Sequence, residues 1–230
     1  LITGASRGLG EHISRALTNY GFNTLLCARD MDRLNELADE FNEQEPGDSV
    51  ALPIDFHKPK TLRKISDAIP KQWPPISVLI NNAGHYKPAP LEDTDLKTFE
   101  KHMDVNCRGP FILTRELLPK MAEIGGGFIA NILAPGAVEG QSEHCAFNAS
   151  KFALRGLTLS LAEEFYDRGV HLVAVNIHGE IDSEEKRTQQ PDRDPSTFID
   201  PRHVAREIIH LYEQPRGAWT RELDLRPSRH

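Results

Sequence analysis

The chain has 230 residues, 39 % of them hydrophobic, and a formal charge of 27 − 34 = −7 at pH 7. That supplies one sizeable core, and an acidic balance with no basic patch or tail excludes a nucleic-acid partner. No apolar run reaches the ~20 residues of a membrane helix, none reads as a secretory signal, and the scattered Cys27, Cys107 and Cys145 read as free thiols without metal-ligand spacing, so a cytoplasmic protein with no membrane contact and no metal is expected.

Leu1-Ile2 is barely half a strand, so further residues are expected ahead of it in the native protein. It runs into Thr3-Gly4-Ala5-Ser6-Arg7-Gly8-Leu9-Gly10, which opens a helical pattern from Glu11. A strand end, a glycine turn and a helix start make an anion site, because the first N–H groups of a helix have no partner and its dipole favours negative charge. The glycines follow G-x-x-x-G-x-G rather than G-x-G-x-x-G. By itself such a turn also fits a plain helix cap beside a loop.

The rest alternates strand and helix. Asn23 to Ala28 reads as a buried strand and Asp30 to Glu45 as a helix, with Met31, Leu34, Leu37, Ala38 and Phe41 at helical spacing. Val50 to Ile54 is a strand ending in Asp55, and Lys60 to Ile69 a helix stopped by Pro70. Ser77 to Ile80 is a strand running into Asn81-Asn82-Ala83-Gly84. Helices follow at Leu96 to Met103 and Pro110 to Ala122, then a strand at Phe128 to Leu133 and a long helix from Cys145 to Asp167. Val170 to Ile177 is a strand, and the charged stretch Glu180 to Phe198 reads as a mobile loop or lid. Pro201 to Glu213 is a helix and Ala218 to Leu225 a last strand. With no repeat and no linker, residues 1–230 are expected to form one α/β domain, a parallel sheet with helices on both faces, in which 180–200 covers the substrate. Ligands of such sheets bind at the carboxyl ends of the strands. The glycine turn, Asp55, Asn81 to Gly84, Ala134 and His178 all fall there.

These stretches, with Asn106 and Lys151, stand in the order and spacing of the short-chain dehydrogenase/reductase family, which the chain resembles along essentially its whole length. The resemblance implies a single-domain Rossmann fold with a doubly wound parallel sheet, a nicotinamide dinucleotide, a small-molecule substrate, and a homodimer or homotetramer. It implies that Gly4, Ser6, Gly8, Leu9 and Gly10 cradle the pyrophosphate and that Asp55 takes the adenine amino group. Asn82, Ala83 and Gly84 would border the adenine ribose, and Asn81 would steady the central strands. An NAD enzyme places a carboxylate at the end of the second strand for the ribose 2′-hydroxyl. Here Ala28 holds that slot and Arg29 follows, with Arg7 in the glycine turn. Two guanidiniums suit a 2′-phosphate, so NADP(H) is expected, although Asp30 is placed to pair with Arg29 instead.

The catalytic stretch departs from the family. The resemblance implies a Tyr-x-x-x-Lys pair, a Ser and an Asn: the phenol protonates the carbonyl oxygen, the lysine lowers the phenol pKa and holds the nicotinamide ribose, the serine steadies the oxyanion, and the asparagine orders a relay water. Asn106 and Lys151 are present, but the tyrosine slot is Phe147 and the serine slot Ala134. Ser142 and Ser150 do not obviously replace them. A positioned general acid is worth roughly 10²–10⁴ in rate and one oxyanion donor roughly 10²–10³, so ordinary carbonyl reduction is expected to be crippled unless another group serves. His144 and His178 are the candidate donors, with Glu143 and His85 on nearby loops; His12, His57, His102 and His230 look incidental. Two functions stay open: an oxidoreductase with weak or unusual hydride-transfer chemistry, or an inactive NADP(H)-binding sensor or partner subunit.

Overall fold

The computed structural model describes residues 1–58, 62 and 65–227. Seven strands form one sheet in the order β3-β2-β1-β4-β5-β6-β7, and every pairing is parallel. They are β1 (Ile2–Thr3), β2 (Thr24–Ala28), β3 (Ser49–Pro53), β4 (Val78–Asn81), β5 (Gly127–Leu133), β6 (Val170–Ile177) and β7 (Glu222–Leu225). The central strands read as continuous apolar runs because both of their faces are covered: all eight residues of β6 are buried.

The helices are α1 (Gly8–Asn19), α2 (Met31–Gln44), α3 (Leu96–Met103), α4 (Gly109–Glu123), α5 (Cys145–Phe165), α6 (Glu184–Gln189) and α7 (Pro201–Glu213). Ile13, Leu17, Leu34, Phe41, Ile208 and Leu211 of α1, α2 and α7 pack on one face of the sheet. Leu113, Leu117, Met121, Ala162 and Phe165 of α4 and α5 pack on the other. Carboxylates cap several starts: Asp30 accepts from Arg33 N, Asp95 from Thr98 N and Asp200 from Arg202 N, each worth about 1 kcal/mol.

The doubly wound sheet expected from the alternating pattern is therefore present. Four elements differ from their expected form. Glu180 to Phe198 is not plain loop: α6 forms inside it, with Ser183 accepting from Lys186 N. The last strand begins at Glu222, because Arg216–Ala218 closes into a tight helical turn first. Lys60, Thr61, Arg63 and Lys64 of the helix expected over Lys60 to Ile69 lie outside the described residues, and Ile65–Ala68 is a single tight turn. Between α3 and α4 the backbone widens into a π turn at Asp104–Arg108, which buries Asn106.

Candidate active site

The strand order reverses between β1 and β4, and a crevice opens at their carboxyl ends. Thr3 stitches the two ends together. Its Oγ1 accepts from Asn82 N and Ala83 N, each at 3.0 Å, while Asn82 Nδ2 donates to Thr3 O at 3.0 Å. Gly4 sits here at φ +68°, where a Cβ would come within 2.9 Å of Asn82 Nδ2. Gly10 is held for a different reason: a Cβ there would lie 2.1 Å from Gly4 O. Gly8, Leu9 and Gly10 form the first turn of α1, whose start has no side-chain cap. Its orphan N–H groups are free for an anion, while the Leu9 side chain is buried in the core.

The crevice widens into a cleft of about 620 Å³. Gly4, Ser6, Arg7, Arg29, Asp55, Asn82, Ala83 and Gly84 all line it, so the sequence-expected nucleotide residues come together. Asp30 is engaged as the α2 cap, and among the described residues no carboxylate lies within 4.0 Å of the Arg29 guanidinium. The expected alternative, an Arg29–Asp30 pair, is not formed. Arg7 reaches across to α6, where its Nη1 lies 3.3 Å from Glu185 Oε2 in an exposed pair. Lys101 adds a cation to this wall beside the His57 and His85 rings, and none of the three stood out in the sequence as nucleotide-facing. Burial, with His102 and Lys101 nearby, pushes the His85 imidazole down to about 4.

Toward β5 and α5 the wall is set by Lys151, Asn106 and Phe147. Lys151 is buried, with Nζ donating to Ile132 O at 2.9 Å; burial pushes its ammonium down to about 8. Its Nζ lies 5.9 Å from the Phe147 ring centroid, a cation over an aromatic face. Ala134 leads into the turn Pro135–Ala137 in extended conformation and offers no hydroxyl. Ser150 is buried and supplies no substitute, because its Oγ donates to Phe147 O and accepts from Asn106 Nδ2. The Asn106 amide clamps the backbone of His85 from both sides, Oδ1 accepting from His85 N at 2.7 Å and Nδ2 donating to His85 O at 2.9 Å.

The candidate donors separate. His144 lies at the start of α5, beside Phe147. His178 is turned to β7, where its Nε2 lies 3.2 Å from Asp224 Oδ1, close but off the line of a hydrogen bond. The position at the end of β6 drew attention to His178, and only the side-chain direction places it against the neighbouring strand. His102 is not incidental: it is fully buried, accepts from Lys87 N through Nε2 and faces Thr98 O through Nδ1. The residue that sequence reasoning missed is Tyr86, whose hydroxyl meets His144 Nε2 at 2.8 Å and whose ring stands edge-on to Phe147, centroids 5.0 Å apart. Its signal was a tyrosine two residues beyond Asn81-Asn82-Ala83-Gly84, at a strand's carboxyl end. Among the described residues no cluster of His, Cys, Asp and Glu is arranged for a metal ion.

Known proteins match this architecture. An uncharacterised oxidoreductase of Staphylococcus saprophyticus is 26 % identical over 227 residues, which is 99 % of this chain and 96 % of that one. A metagenomic short-chain oxidoreductase solved in complex with NADP superposes with a TM-score of 0.84 at 27 % identity, covering 99 % of this chain and 96 % of the other. An alcohol dehydrogenase from the archaeon Thermococcus sibiricus shares the fold, with a TM-score of 0.88 at 24 % identity over 100 % of this chain and 96 % of that one. Residues 1–194 match the short chain dehydrogenase family, and the chain belongs to it.

Proposed function

We propose that the chain is an NADP(H)-dependent oxidoreductase with an altered active site, acting on a small carbonyl compound or an activated double bond. The observation that carries the cofactor assignment is Arg29, a guanidinium on the cleft wall with no carboxylate partner among the described residues. A 2′-phosphate gives it one, whereas a bare hydroxyl does not. The cradle fits the rest of a dinucleotide. Gly4 leaves room a side chain would fill, α1 begins uncapped, and the NADP complex of the metagenomic relative supports the choice. When bound, the nicotinamide supplies a hydride. Lys151 would hold the nicotinamide ribose, Asp55 would face the adenine, and residues 180–200 with α6 would cover the substrate. The exposed Phe111 of α4 and Phe152 of α5 support a homodimer or homotetramer. No helix among the described residues is long and apolar enough to cross a membrane, and with the free thiols this fits a cytoplasmic place.

The test is the dissociation constant of NADPH and NADH for the parent and Arg29→Ala. A charge-assisted contact of about 1.5–3 kcal/mol corresponds to a roughly 10–100-fold loss of NADPH affinity, with NADH little changed. Tighter NADH binding by the parent overturns the assignment. A second reading, a sensor or partner subunit without turnover, is favoured by one observation: neither Ala134 nor Phe147 carries a hydroxyl, and that of Ser150 is engaged elsewhere. NADPH oxidation against a panel of ketones, aldehydes and enones separates the two readings.

A further inference from the structure

The loop after β4 is held more firmly than its exposed position requires. Asn106 fixes the His85 backbone at both its N–H and its carbonyl. His102 takes the Lys87 N–H at 3.2 Å, and Glu143 O takes the Ala89 N–H at 2.8 Å. Tyr86 lies within this clamped run, 58 % exposed. Facing it is His144, whose neighbour Glu143 holds a left-handed φ of +63°, a conformation that costs a non-glycine residue roughly 1–3 kcal/mol and persists where surroundings enforce it. His144 Nδ1 is on Ser142 O. A carbonyl oxygen only accepts, so Nδ1 carries the hydrogen in the neutral ring, and Nε2 is left to accept the Tyr86 O–H. The phenol therefore has a defined partner and direction beside the Phe147 ring, which also faces His102 and the Lys151 ammonium.

We propose that Tyr86 is the proton donor of this site, in place of the hydroxyl missing at Phe147, and that His144 is its positioning partner. The proposal rests on the oxidoreductase reading and takes a small ketone or aldehyde as substrate. A bound reduced nicotinamide would supply a hydride to the carbonyl carbon, being oxidised in the exchange, and the C=O π pair would move to oxygen. That oxygen takes the Tyr86 phenolic proton. The phenolate regains its proton from water, passed through His144 Nε2, which returns to its accepting state. Burial first, and Glu180 second, hold the Tyr86 phenol above its ordinary range, so it waits as the protonated donor.

The test compares the parent with Tyr86→Phe and His144→Phe. Tyr86→Phe should lower kcat by about 10²-fold or more with the dissociation constant of NADPH unchanged. His144→Phe should cost less, again with the dissociation constant of NADPH unchanged. A readout without cofactor is the ¹⁵N spectrum of His144: the Nδ1–H tautomer with a hydrogen-bonded Nε2, whose resonance moves in Tyr86→Phe. An unmoved resonance overturns the pairing. An unchanged kcat in Tyr86→Phe overturns the donor role and leaves the oxidoreductase reading standing. A parent that binds NADPH but reduces nothing in the panel overturns that reading, and the proposal with it.

Discussion

Lys151 is the residue whose burial has the clearest energetic signature. Its ammonium titrates at 10.5 in the open chain and at about 8 when folded. Between those values the unfolded chain binds the extra proton, so this residue's contribution to stability rises with pH across the window. Below it, both states are protonated and the folded state carries the full cost of a buried charge. The whole difference is roughly 3 kcal/mol. Urea unfolding of the parent and Lys151→Met should show a gap in stability that shrinks from about pH 8 to about pH 10.5; a gap independent of pH contradicts the assignment. At Ala134 and Phe147 the deficit is chemical rather than structural. Ala134→Ser and Phe147→Tyr each add one oxygen to a side chain already in place. The double variant should reduce a small activated ketone faster than the parent, and faster than either single variant, because the roles act as a unit. No gain with NADPH still bound would mean that the pocket itself is misshapen, which favours the sensor reading.

At the scale of elements, the π turn Asp104–Arg108 is the piece that organises the catalytic wall. An extra residue in a helical turn moves one side chain inward, and here it buries Asn106 against the His85 backbone and Ser150. Asn106→Ala removes both partners from the part-buried N–H and carbonyl of His85, at a cost of about 1 kcal/mol. Amide hydrogen exchange at His85 to Lys87 should speed up markedly, while the exchange of β5 and β6 stays slow. Equal protection in the variant would show that the loop is held by its other contacts. Most helices here were readable from their apolar spacing. The π turn was not, because it differs from an α-helix by one residue of winding rather than by any pattern of polarity. The short helix α6 was masked by its charge: with no buried residue, it leaves no apolar period to read.

For the whole molecule, the open question of assembly lies on the face made by α4 and α5. Phe111 is 41 % exposed and Phe152 42 %, and burying what remains of each is worth about 1 kcal/mol. A symmetric contact uses each of them twice. Light scattering at micromolar concentration should give at least a dimer mass, and Phe111→Glu with Phe152→Glu should give a monomer of 25.8 kDa. A monomeric parent refutes the interface.

By itself the sequence determined the parallel doubly wound sheet and the position of the nucleotide crevice, and its resemblance to the short-chain dehydrogenase/reductase family marked the blank hydroxyl positions at 134 and 147. The sheet and the crevice follow from local rules: apolar runs with period, glycines where a side chain cannot fit, and spacing along one chain. Only the tertiary structure decided which side chains face one another. It turned His178 toward Asp224, engaged Ser150 with Asn106 and Phe147, made Asp30 a helix cap rather than a partner of Arg29, and set Tyr86 against His144, 58 positions along the chain. Side-chain direction depends on contacts between segments distant in sequence, and a single sequence read in order carries no record of those contacts.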